Sequence, residues 1–159
     1  MNVAIVYGVT LLALFGLAYF TRRRFGVLGL ALAAGAMLSS LWAEQLTPLV
    51  KSTGIDIAVP PLATVVAVLL VLLPAVLLLT SGPTYHKKSE QIIGALLFAT
   101  LAVALLIEPL GSGLVLQGDG KQVYDWFFEN RVYIVTVGLI AALVDLLFAK
   151  SPRSSKSKH

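Results

Sequence analysis

No cysteine occurs in the 159 residues, which excludes disulfides, thiolate metal sites and cysteine nucleophiles and leaves the redox compartment open. Histidine is nearly missing too: His86 and His159 are the only two, and their separation is not a metal-ligand spacing. Charge is scarce. Asp, Glu, Lys and Arg make up 13% of the chain, against roughly 25% in soluble domains. No phosphate-binding glycine loop is present, and Gly-x-Ser-x-Gly does not occur. Gly111-Ser112-Gly113 reads as a flexible corner after Pro109, with no histidine near Ser112 in sequence. The paired acids, or the Ser with His, that an intramembrane protease needs inside its crossings are absent. Enzyme is therefore the least expected class, and neither a cofactor nor a metal is implied.

What the chain has in excess is apolar length. Hydrophobic residues make up 58% and mean hydropathy is +0.90. A soluble domain of this size would leave much of that surface in water, whereas a bilayer is itself the apolar solvent. The apolar residues fall into five runs, over 2–20, 25–43, 59–80, 90–107 and 131–149. Crossing the hydrocarbon takes about 20 mostly apolar residues. The expected fold is therefore all-α, a polytopic transmembrane bundle of five crossings occupying 1–150, followed by a basic, disordered tail over 151–159. The fifth run contains one acid, Asp145. A helix lying on the membrane surface is the alternative there, but 132–143 carries no charge on any face, and a surface helix shows a polar side. No Lys or Arg precedes the first run, and Arg22-Arg23-Arg24 follows it, the reverse of a cleavable signal; it reads as a retained helix.

The charges between the runs set orientation. Arg22, Arg23 and Arg24, then Lys87 and Lys88, then Lys150, Arg153, Lys156 and Lys158 would share one side of a five-helix protein. That side holds nine of the twelve cationic residues, and Lys51, Lys121 and Arg131 are left for the other. The excess points the amino end outside and the carboxyl end to the cytoplasm, in the inner (cytoplasmic) membrane. A basic total used in this way implies a lipid bilayer as partner and no nucleic acid.

The gaps have character of their own. Residues 44–58 mix apolar and polar side chains and are expected to lie at, or dip into, the interface. Pro60 and Pro61 stand where a helix starts, and Pro74, inside the third run, should kink it. In 108–130, Asp119-Gly120 is a turn signal around which 114–116 and 121–124 could pair as a hairpin. Tyr124, Trp126, Phe127 and Phe128 then read as an outer interfacial helix, because amphipathic rings gather at the lipid boundary.

Two further patterns point to function. Ala31, Gly35 and Ser39 recur at intervals of four, and Gly94, Ala95 and Ala99 give the fourth run a similar face. Small residues so spaced let helices approach closely, either within one bundle or between copies or partners. Glu108 and Asp145 are acids at the ends of apolar runs. Each is a candidate functional acid, or a boundary residue that reaches water or headgroups, with Asp145 in range of Lys150 or of the first basic gap.

The succession of features then resembles a known family. An Arg-rich gap ends the first helix, and a small-residue helix runs into Leu46-Thr47-Pro48-Leu49-Val50. An aliphatic helix begins near Pro60, and Ser89-Glu90-Gln91-Ile92-Ile93-Gly94-Ala95-Leu96-Leu97 opens the fourth. Over about residues 1–107 this resembles the colicin V production protein (CvpA-like) family of bacterial inner-membrane proteins. Glu90-Gln91 stands where that family carries an Asp-Arg-like pair, and the fifth run lies outside its four-helix pattern. The resemblance implies a role in envelope homeostasis or secretion support, without catalysis. The expectation is a non-enzymatic membrane protein that assembles with itself or with a membrane-protein partner. The alternative is a small transporter or channel subunit.

Overall fold

The computed structural model of the protein describes residues 3–54, 57, 60–79, 83–85, 87–113 and 119–148. They form an all-α bundle of five helices: α1 (Val3–Thr21), α2 (Phe25–Ser52), α3 (Leu62–Leu79), α4 (Lys88–Gly113) and α5 (Asp119–Leu147). The described residues contain no strand, and one isolated antiparallel bridge joins Arg23 to Thr84. Helices α2 to α5 are each long and apolar enough to cross a membrane, while the apolar stretch of α1, Tyr7–Thr21, is shorter.

Three helices run past the limits that hydropathy sets. α2 continues through Glu44 to Ser52, so that part of the gap expected at 44–58 is helix. α4 continues through Glu108 to Gly113 with Pro109 inside it, and α5 begins at Asp119 rather than at 131. The hairpin expected around Asp119-Gly120 is therefore incorrect, since 121–124 is helical; its other arm, 114–116, lies outside the described residues. The physical reason is that backbone hydrogen bonding does not stop where lipid stops. Glu, Gln, Leu and Lys are good helix formers in water as well, and an acid at the start of a helix complements its dipole. At 1.5 Å per residue α2 and α5 are each about 42 Å long, against about 30 Å of hydrocarbon.

α4 is the centre of the bundle. From Ala95 to Ile107 its buried residues (Phe98, Ala99, Leu101, Ala102, Val103 and Leu106 among them) point in every direction around the axis, the pattern of a helix enclosed by others. α5 is peripheral and leaves Val132, Tyr133, Val137, Ile140 and Leu147 exposed. An outer surface this apolar, on helices this long, is the build of a membrane protein.

The ends of the helices sort by charge. The α1–α2 turn, the segment before α4 and the last turns of α5 meet at one end. There Tyr85 N donates to Arg22 O (2.9 Å), Arg24 N to Pro83 O (3.1 Å), and Arg23 Nε to Leu79 O (2.9 Å). Arg22 closes α1 in the left-handed region (φ 54°). At the other end Tyr7 of α1 packs with Val103 and Ile107 of α4 and with Tyr124 and Phe127 of α5. The first and third basic gaps thus share an end, as an alternation of up and down helices requires.

Candidate functional site

Where α2, α3, α4 and α5 come together toward the acidic end they do not close. A cleft of about 550 Å³ remains, within the range of about 300–1,000 Å³ usual for small-molecule sites. Its walls are short side chains: Ala36 and Ser39 on α2, Ala67 on α3, Ala104 on α4, and Val135 and Thr136 on α5. Glu44, Glu108 and Arg131 also line it. Glu44 lies about 28 Å along α2 from Phe25, and Glu108 about 30 Å along α4 from Lys88, one hydrocarbon thickness in each case. Arg131 Nη1 meets Glu108 Oε2 at 2.6 Å, and the guanidinium also lies 4.9 Å from the centre of the Phe128 ring. Glu44 is exposed and makes no ion pair with a described residue.

Beneath the cleft the helices are packed backbone to backbone. A Cβ on Gly35 would lie 2.1 Å from Val71 O and 2.9 Å from Leu70 O. Only a glycine hydrogen fits there, and it faces those carbonyls as a weak Cα–H···O donor. Pro74 lacks an N–H, so it leaves the Leu70 carbonyl without its helical partner; the approach of Gly35 supplies a neighbour for that oxygen. About two and a half turns further down, a Cβ on Gly26 would meet Ala142 O at 2.6 Å. The space between α2 and α5 is filled there.

The basic end is closed by a polar knot around Asp145. Its Oδ1 lies 3.2 Å from Arg24 Nη2, and its Oδ2 accepts from Gly26 N at 2.9 Å. Tyr85 adds a side-chain hydrogen bond to the same carboxylate and accepts from Phe25 N at 3.0 Å. Arg24 also sits over the Tyr85 ring, 5.5 Å from its centre. These contacts do the work of a helix cap. The N-cap residue of α2, Arg24, makes no side-chain capping bond, so the first N–H groups of α2 are taken by residues 60 and 119 positions away. Burial pushes the Tyr85 phenol above its ordinary value of 10.0; Phe25 N–H acts against this and the Asp145 charge with it.

The residues singled out in sequence fall into three groups. Ala31, Gly35, Gly94, Ala95 and Ala99 are buried inside the bundle, and a Cβ on Gly94 would strike the Tyr85 ring. Ser39 ends its stripe in the cleft wall. Glu108 and Asp145 sit at opposite ends and never meet, each holding an arginine. Asp145 takes Arg24 from the first basic gap, and Lys150 lies outside the described residues. Arg22 and Arg23 belong to the turn at the basic end, with exposed Lys87 and Lys88 beside it at the start of α4. Pro74 is inside α3. Of the four aromatics, Tyr124 and Phe127 pack on α1 and α4, and Trp126 and Phe128 are exposed.

Sequence reasoning passed over Glu44, Thr136 and Tyr85, and the pairing of Arg131 with Glu108. A usable signal existed for the pair alone: an acid and a base at the facing ends of two consecutive antiparallel helices. Comparison with known proteins finds no matching family model, no matching curated protein and no matching solved structure.

Proposed function

We propose that the chain is a multi-pass protein of the inner (cytoplasmic) membrane with five crossings, amino end outside and carboxyl end cytoplasmic. It works without catalysis, by holding a small solute in the cleft as a transporter or channel subunit does. The observation that carries this reading is the cleft itself, bordered by Glu44, Glu108 and Arg131 toward the acidic end and underlain by glycine-mediated packing. That asymmetry is what a one-sided access path requires. The charge distribution supports the orientation, since the end built around Arg22, Arg23, Arg24, Lys87 and Lys88 is the cationic one.

The test is solute binding and flux with purified protein in lipid vesicles. The paired substitution Ala36→Leu and Ala67→Leu fills the cleft from two walls and should abolish saturable uptake while the protein stays monodisperse and helical. Flux unchanged by the filled cleft would refute the reading.

Assembly with itself or a membrane partner, in envelope homeostasis or secretion support, is the second reading. What favours it is α5, whose apolar side chains face outward along most of its length. The small-residue stripes no longer argue for it, because they are occupied inside the bundle. Cross-linking in membranes from cysteines placed at Val137 or Ile140 should capture a second chain if this reading is right.

A further inference from the structure

Resting on the reading of the cleft as a solute site, we propose that its ligand is an organic monocation with an apolar body. Among the described residues three charged groups line the cleft, and two of them cancel. Arg131 is held by Glu108 at 2.6 Å and by the Phe128 ring. Glu44 has no ion-pair partner among the described residues, so the mouth carries one uncompensated negative charge.

The alternatives fit less well. An anion would need a free donor, and among the described residues the only basic one lining the cleft is already engaged. A metal ion would need several hard ligands, and the described residues contain no group of three His, Cys, Asp or Glu able to hold one. Below the mouth the walls are mostly Ala, Val and Leu, with the hydroxyls of Ser39, Ser40 and Thr136 among them. Ser40 already gives its proton to Met37 O at 2.9 Å. Such walls suit hydrocarbon or aromatic surface, and short side chains leave room for it. Charge at the rim and apolar volume beneath it select an amphiphile with its cationic part toward Glu44.

The experiment uses three probes of related shape on the full chain in detergent micelles: tetraphenylphosphonium, tetraphenylborate and neutral triphenylmethanol. Specific binding is the part lost in the Ala36→Leu, Ala67→Leu variant. Wild-type protein should bind tetraphenylphosphonium saturably and in preference to the other two. Glu44→Gln, a change at an exposed position, should weaken that binding about two- to fivefold, the range for an exposed ion pair. Glu108→Gln frees Arg131 and should shift the preference toward tetraphenylborate. If specific binding favours the borate or the neutral probe, or ignores Glu44→Gln, the cation assignment is overturned while the cleft remains a binding site. If no probe distinguishes the filled cleft from the wild type, both readings fall together.

Discussion

At the scale of single residues, the bundle depends on places where a side chain is missing. Gly35 is the sharpest case. Replacing glycine by alanine within a helix ordinarily gains about 1 kcal/mol of propensity. At Gly35 the new Cβ would sit 2.1 Å from a backbone carbonyl of α3, and backbone cannot swing aside, so α2 and α3 must part. Overpacking of that kind costs roughly 1–3 kcal/mol, enough to outweigh the gain. Gly35→Ala should therefore lower the thermal midpoint of the purified protein. Gly16→Ala in α1, where nothing lies within 4 Å, should leave it unchanged or raise it. A Gly35→Ala protein as stable as wild type would show that α2 and α3 do not meet as described. The sequence marks Gly35 as part of a small-residue face, but not which partner the face meets. The spacing is the same whether the partner is α3 or another chain; only the tertiary arrangement distinguishes the two.

At the scale of elements, α2 is the helix held most from afar. Its first turn lacks a capping side chain of its own, and Tyr85 and Asp145 take those N–H groups. Losing a cap costs about 0.5–2 kcal/mol, and Asp145 also holds Arg24. Asp145→Asn keeps the shape and removes the charge, so it should destabilise the protein more than Tyr85→Phe does. The phenol adds a pH dependence. Its pKa is raised in the folded protein, so its contribution is complete below the unfolded value of about 10. That contribution is lost as pH climbs through the folded pKa, because deprotonation sets a phenolate beside Asp145. Melting followed between pH 8 and 11 should show a loss at the alkaline end that Tyr85→Phe lacks; equal alkaline loss in both would remove Tyr85 from the account. Elements are also where the sequence was easiest and hardest to read. Five apolar runs announce five helices, because a charge inside hydrocarbon is expensive. The ends stay hidden at Glu44 and at Asp119, since hydropathy reports the lipid boundary and a helix crosses it freely.

At the scale of the whole molecule, one end is basic and tightly knotted, and the other is acidic and borders the cleft. Positive charges in the short gaps foretold that division. The cleft was not foretold, because it is made of what four separate helices fail to fill: Ala36, Ser39, Ala67 and Ala104 have no periodicity that marks them as a void rather than a contact. The division by charge is the claim on which the cleft's access depends. It is tested most directly by single cysteines in this cysteine-free chain, at the exposed positions Lys51, Lys88 and Glu129. With a membrane-impermeant maleimide applied to intact cells, Lys51→Cys and Glu129→Cys should label at once, and Lys88→Cys only after the membrane is broken. Labelling of Lys88→Cys in intact cells with protection of the other two would invert the orientation and contradict the account.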